Sequence, residues 1–333
     1  MELRRIPLSR YATFVAGAED RSIFHTWDWL ESIVGALAVA VEPLGLVHGE
    51  ELLGVLPVLS RRVGPLRVRG WPLPGCATPP VPPLIPEHLG QELVRAVSGW
   101  VRSNRVAHFQ MCWPHELLAL PRGTWTETGQ SLEVSIGPSL DEMWQRLRPP
   151  ARRRVRHALR AGVRPHWVQN ELFVRDYERL LESTYVRRQG IRPNYPSRLH
   201  RELLRRRDHL GLRVLAASRD GQLHAALWLL PSGSRCYFWD GAMDQAERAT
   251  SASNLLHWEA LRWCHQRGVA AYDLGGVTGR GGARPGIARF KESLGASTRS
   301  HVTVYWQRPG LALALRIYRA WLRRRDRPRR DGP

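Results

Sequence analysis

Two hydrophobic periods alternate along the chain and mark out its elements. Residues 27–35 repeat apolar side chains at helical spacing, with Thr26 placed to cap the run. Residues 44–48 and 52–60 read as two strands around the turn His48-Gly49-Glu50. A proline-rich stretch, 64–86, breaks both periods and is read as irregular. A helix over about 88–103 and a strand over 106–112 follow.

The same order returns further on. Phe173, Tyr177, Leu180, Leu181 and Thr184 recur at helical spacing behind Asn170, a capping residue, and Gly190 stops the run. Residues 212–218 and 222–230 are strands about Asp220-Gly221, a strong hairpin signal. A third strand, 235–241, leads into a helix over 253–266 closed by Gly268, then a strand over 269–274. The two hairpins lie about as far apart as the two closing helix–strand pairs, so one α/β design is used twice. Between the copies, Ser139-Leu140-Asp141-Glu142 fits a capping box that opens a helix. Pro149-Pro150 interrupts that helix, and residues 151–161 resume it as far as Gly162. The division that results is 1–139, 140–310 and a basic amphipathic stretch, 311–333.

Composition narrows the class. A hydrophobic fraction of 43% with 14 Trp in 333 residues fits a globular chain and excludes a disordered one. No apolar run reaches the ~20 residues of a membrane span, and the first residues have no apolar core of a secretion signal. Cys76, Cys112, Cys236 and Cys264 stand apart with no CxxC pair, the pattern of reduced, packed thiols, so a cytoplasmic location is expected. The net charge of +20 is lopsided. Residues 1–139 carry 12 Arg against 13 acidic side chains, and residues 140–333 carry 38 basic against 17 acidic. A one-sided field attracts polyanions such as RNA, nucleotide phosphates or an anionic membrane face.

The segment Tyr272-Asp273-Leu274-Gly275-Gly276-Val277, followed by Gly286-Ile287-Ala288-Arg289-Phe290-Lys291 and Gly295, resembles the Fem aminoacyltransferases. Those enzymes form peptidoglycan cross-bridges and belong to the wider GNAT-like acyltransferases. Leu255-Leu256-His257-Trp258-Glu259-Ala260, Gly268 and the Arg-rich stretch 152–163 are similar to that family too, so the resemblance spans roughly 140–306. It implies two tandem GNAT-like domains (the acyl-CoA N-acyltransferase fold), with mixed sheets flanked by helices. It also implies transfer of an aminoacyl group from charged tRNA onto an amine of a cell-wall precursor, with aminoacyl-tRNA as donor substrate and no cofactor. The N-terminal domain would hold the acceptor and the C-terminal one the donor. Phe24-His25-Thr26-Trp27-Asp28-Trp29 is like the family's opening. Ser32 and Ile33 stand where the family has a lysine, and Trp71-Pro72-Leu73-Pro74-Gly75-Cys76 replaces its Pro-Arg-Gly-Pro segment. In the family those positions contact the nucleotide-linked muropeptide.

Lys291 is the single lysine among 50 basic Lys and Arg residues. Where Arg serves almost everywhere, a lone Lys points to a compact charge that can approach one oxyanion. Asp273 ends a strand before Gly275-Gly276, placed to orient or deprotonate an attacking ammonium, or simply to cap the turn. Arg289 and Phe290, beside Lys291, and Tyr237 and Trp239, on the third strand, are taken as substrate-binding candidates. The glycine-rich loop with Gly275, Gly276, Arg280 and Arg284 can close over a substrate or be plain surface. Arg152, Arg153 and Arg156 gather on one helix side, suited to phosphate or merely solvated. A basic helix with Leu311, Leu315, Tyr318, Trp321 and Leu322 either lies on an anionic membrane, a peripheral contact, or packs on its own domain. Residues 244–252 hold no glycine, unlike a usual CoA pyrophosphate loop, and no metal-ligand spacing is present. Two rival readings stay open: an N-acyltransferase using acyl-CoA or acyl-carrier protein on a sugar or lipid amine, and a non-catalytic RNA- or membrane-binding module.

Overall fold

A computed structural model describes residues 1–63, 66–114, 119–186, 195–244, 247–276, 278–279, 282–283, 285–307 and 311. The N-terminal half runs β1 (Glu2–Arg5), α1 (Leu8–Gly17), a 3-10 turn (Ile23–His25), α2 (Trp27–Ala36), β2 (Ala40–His48), β3 (Glu51–Val63) and β4 (Leu66–Trp71). A second 3-10 turn (Glu87–Leu89), α3 (Gly90–Ser103), β5 (His108–Trp113) and β6 (Thr124–Ser135) complete it. Next come α4 (Leu140–Arg146), α5 (Pro149–Arg160), β7 (Arg164–Trp167), α6 (Phe173–Val186), α7 (Ser197–Arg205) and α8 (Arg207–Leu210). The last part is β8 (Arg213–Arg219), β9 (Gln222–Ser232), β10 (Arg235–Met243), α9 (Glu247–Thr250), α10 (Ala252–Gln266) and β11 (Ala271–Gly276). A two-strand ribbon of β12 (Thr278–Gly279) and β13 (Gly282–Ala283), then α11 (Pro285–Ser293) and β14 (Ser297–Gln307), close the described chain.

The duplication is visible in the pairing. β2, β3 and β4 run antiparallel and β4 then pairs parallel with β5; β8, β9 and β10 repeat this, with β10 parallel to β11. A parallel pair needs a crossover, supplied by α3 in one half and α10 in the other. One feature crosses between the halves. The antiparallel neighbour of β5 is β14, from the end of the chain, and that of β11 is β6, from the first half. β14 and β6 also pair with each other, from Ser297↔Glu133 to Trp306↔Thr124, so twelve strands form a single sheet.

Local signals act where the sequence puts them. Thr26 accepts from the Trp29 N–H at the start of α2, and Ser139 from Glu142 at the start of α4. Asp220 and Gly221 both take positive φ in the β8–β9 turn. Two expectations are corrected. The stretch 64–86 contains a strand, β4. Pro149-Pro150 does not interrupt one helix but begins a second: Leu147 is extended and Pro149 opens α5, where its missing N–H costs nothing. The stop at Gly190 and most of the basic helix 311–333 lie outside the described residues.

Two apolar cores sit on the sheet. One joins α5, α10 and their strands through Val155, Leu256, Leu229 and Tyr272; the other runs under α2, α3, α6 and α7. α2 docks on α7, where Arg206 donates to Glu31 at 2.6 Å. All four cysteines are buried and free. Among the described residues no helix is long and apolar enough to cross a membrane.

The end of the N-terminal parallel pair is closed. Gln110 of β5 donates from Nε2 to the Pro72 carbonyl at 2.9 Å, just past the cis Trp71–Pro72 bond. A Cβ on Gly70 would lie 2.6 Å from Gln110 Cγ and 2.7 Å from its backbone oxygen. Gly70→Ala is expected to cost roughly 1–3 kcal/mol through overpacking, read as a lower urea midpoint at unchanged slope.

Candidate active site

The C-terminal parallel pair is open. β10 and β11 pair only through Arg235–Ala271, Cys236–Tyr272 and Tyr237–Asp273. Beyond that, β10 shifts register against β9 between Phe238 and Asp240, and β11 shifts against β6 between Asp273 and Gly276. Such bulges free backbone groups from the ladder and bend the strand. The two strands therefore part immediately after Tyr237 and Asp273, and the candidate side chains meet in that wedge.

Asp273 is 6% exposed. Its Oδ1 accepts the Gly275 N–H at 2.7 Å, and Gly275 takes φ +75°, a conformation glycine adopts without strain. The turn-capping role is thus real, yet it uses one oxygen; among the described residues Oδ2 has no hydrogen bond. Burial raises the pKa of this carboxyl, against the pull of the Gly275 N–H, Arg235 and Arg299, while Glu133 pushes it further up.

Lys291 enters from α11, 7% exposed. Its Nζ donates to the Gly275 carbonyl at 3.0 Å and the Gly276 carbonyl at 2.7 Å. Burial lowers its pKa to about 8, with Asp273 opposing the fall. A buried acid pushed up and a buried base pushed down thus share one glycine turn, the type of arrangement that marks functional sites. His257 of α10 stands beside them, its Nδ1 3.0 Å from the Tyr272 hydroxyl and its ring between Phe238 and Phe290. Burial and the Lys291 charge hold its pKa down at about 3, so it is a neutral imidazole at working pH.

The strand register extends the site sideways. Tyr237, Asp273 and Glu133 stand in one row across three strands, and Ser297 of β14 continues it. Arg235 binds Glu133 in a partly buried ion pair. Tyr237 packs edge-on to Phe24 of the N-terminal half at 4.9 Å, and its buried phenol is pushed up to about 12.

The wedge gathers Lys291, Asp273, Gly275, Gly276, Phe290 and Tyr237. The other candidates lie elsewhere. Arg152 binds Gln145, Arg156 stacks 5.4 Å over Trp144, and Arg153 is exposed on the outer side of α5. Arg289 is exposed and turns back to the Pro285 carbonyl. Trp239 donates to the Ala77 carbonyl at 2.8 Å and stacks on Tyr195, tying the halves together. Arg280 and Arg284 lie outside the described residues. In the N-terminal half, His25 is buried and neutral, its pKa near 4, donating from Nε2 to Pro82. Glu133, Arg235 and Arg299 are the site neighbours that sequence reading missed. Glu133 lies on β6, whose first half has no apolar alternation, and Arg299 lies on the polar start of β14, before Val302, Val304 and Trp306 alternate.

The family model for the acetyltransferase (GNAT) domain matches residues 145–292, which holds the whole wedge except Glu133 and Arg299. The fold matches the crystal structure of FemX at a TM-score of 0.70, with 12% identity over 96% of this chain and 100% of that one. It also matches L-PGS from Bacillus licheniformis (TM-score 0.60, 12% identity, 95% and 97% covered). A third match is a tandem GNAT protein from the clavulanic acid biosynthesis pathway (0.54, 14%, 91% and 98%). No curated protein matches the chain in sequence. Residues 145–292 thus match an acetyltransferase (GNAT) domain, and the described chain has a GNAT-like fold. More particularly, over 96% of its length it takes a fold like that of FemX, the fold expected from the resemblance to the Fem enzymes.

Proposed function

We propose that the chain transfers an aminoacyl group from aminoacyl-tRNA to an amine of a peptidoglycan precursor by direct aminolysis. The observation that carries this reading is the meeting of Asp273 and Lys291 at the Gly275–Gly276 turn. Attack of an amine on an ester needs the amine deprotonated and the tetrahedral oxyanion stabilised. Asp273, with its unoccupied Oδ2, receives the ammonium of the acceptor and takes its proton. Lys291 carries the positive charge for the oxyanion. The amine nitrogen bonds to the acyl carbon, and the ester oxygen leaves with the electron pair and a proton. Cys236 and Cys264 are fully buried, which favours direct transfer over a thioester enzyme intermediate.

The likeness to FemX supports a cell-wall acceptor, and that to L-PGS supports aminoacyl transfer more broadly. The cationic C-terminal half, with Arg152, Arg153 and Arg156 on α5, suits tRNA phosphates, and a peripheral contact with an anionic membrane belongs to the same reading. Cytoplasmic location goes with a tRNA donor. The match to an acetyltransferase model favours a second reading, N-acylation from acyl-CoA or acyl-carrier protein.

Purified protein incubated with isotope-labelled aminoacyl-tRNA and muramyl pentapeptide should yield labelled peptide that ribonuclease pretreatment abolishes. Label transfer from acyl-CoA without RNA would replace this reading by the second.

A further inference from the structure

Arg299 is a half-buried arginine that makes no hydrogen bond or ion pair among the described residues. Its place is set by β14, where it stands opposite Ser131 of β6, on the sheet face that carries Glu133 and Asp273. Its charge is felt at Asp273, Tyr237 and Cys112, so its guanidinium lies between the wedge and the end of β5.

A narrow cleft of about 10 Å³, room for one water, opens there, lined by Arg299, Ser131, His301, the buried Cys112 and, as walls, Pro80, Pro82 and Pro114. Prolines offer no N–H, so the donors facing it come from Arg299, the Ser131 hydroxyl and the His301 ring. Among the described residues no carboxylate lines it. The pocket is also firmly built. The Pro82 carbonyl is held by Trp71 Nε1 at 3.2 Å and His25 Nε2 at 2.9 Å. A Cβ on Gly129 would meet His301 Nε2 at 2.2 Å, so the ring can lie on the sheet only because residue 129 lacks a side chain. Burial and Arg299 keep His301 neutral, leaving it one N–H to give.

A free cation among neutral donors selects an oxyanion, and a guanidinium can bind two of its oxygens at once. The carboxylates Glu133 and Asp273 lie one and two strands away and select the opposite charge. Two strand spacings and a two-residue offset along the strands together amount to about 12 Å. We propose that Arg299, with Ser131 and His301, anchors a carboxylate or phosphate group of the acceptor about 12 Å from the amine received by Asp273. This rests on Asp273 as the amine site of the proposed reaction, and it makes the acceptor a molecule carrying both charges.

Calorimetric binding of 8-aminooctanoate, 8-aminooctyl phosphate and octylamine to the full chain tests it without any transfer reaction. The wild type should bind at least one of the two anionic amines at least about 10-fold more tightly than octylamine, a usual return for a charged bidentate contact. The stronger of the two identifies carboxylate or phosphate as the natural group. Arg299→Gln should erase that preference, read as the ratio of anionic amine to octylamine affinity within each protein, and Arg299→Lys, which keeps the charge but not the fork, should retain part of it. Equal binding of all three compounds by the wild type, or an unchanged preference in Arg299→Gln, overturns the anchor. Either result leaves the labelled-tRNA assay free to succeed or fail by itself.

Discussion

Lys291→Met should lower kcat by about 100-fold or more, the usual loss when one oxyanion-stabilising group is removed, while moving the melting temperature by only a few degrees. The asymmetry follows from the surroundings of the side chain. Methionine matches lysine in length and suits the apolar neighbours, with Phe290 and His257 close by, so no cavity opens. Gly275 is half-buried and Gly276 exposed, so water can replace the ammonium at their carbonyls. The cost of burying a charge also disappears. What the variant cannot replace is the charge itself. Lys291→Arg should fare little better, because a planar fork does not fit two successive carbonyls as a rotating ammonium does. A large fall in melting temperature with kcat intact would reduce Lys291 to a clamp on the turn.

The same residue sets an alkaline limb. With its pKa lowered by burial to about 8, Lys291 loses its charge as pH rises through that value, and kcat should fall with it. Stability should not. Between about 8 and the unfolded value of 10.5, the unfolded chain binds more protons than the folded one, so this group makes unfolding harder as pH rises. Activity falling over a window in which the fold tightens separates the limb from denaturation. In Lys291→Met the limb should vanish.

How much of this could be read from the chain depends on the range of the signal. Thr26, Ser139 and Asp220-Gly221 act within four residues of themselves, and each does what its sequence indicates. Lys291 and Asp273 were legible because a lone lysine in an arginine-rich chain and a strand-ending aspartate before two glycines are both local facts. β6 and β14 were not. Residues 124–130 of β6 are polar but for the exposed Trp125, and their pairing partner lies some way beyond any local window, at 297–307. Glu133 and Arg299 reach the wedge only through that pairing, so nothing near them in sequence announces a site. The arginines of α5 show the converse: their helical clustering is correctly read, but helix packing turns Arg152 and Arg156 toward Gln145 and Trp144.

Asp273→Asn should lower kcat by about 100- to 10,000-fold, the range for loss of a positioned general base, with the turn intact. The amide oxygen can still accept the Gly275 N–H that Oδ1 accepts now, and asparagine caps such turns as aspartate does. Only proton acceptance by Oδ2 is lost. The pH dependence gives a second mark. Burial raises the Asp273 pKa above its ordinary 3.8, so the active carboxylate forms, and kcat climbs, as pH rises through the raised value. Over the same window the folded chain binds more protons than the unfolded one, so this group's contribution to stability is lost as pH rises. Asp273→Asn should therefore remove the acid limb of the rate profile and also flatten stability across that window. An unchanged acid limb would mean that another group takes the proton. The ion-paired Glu133, next to Asp273 in the strand register, would then be the first to replace, since it shares the face on which the acceptor amine is received.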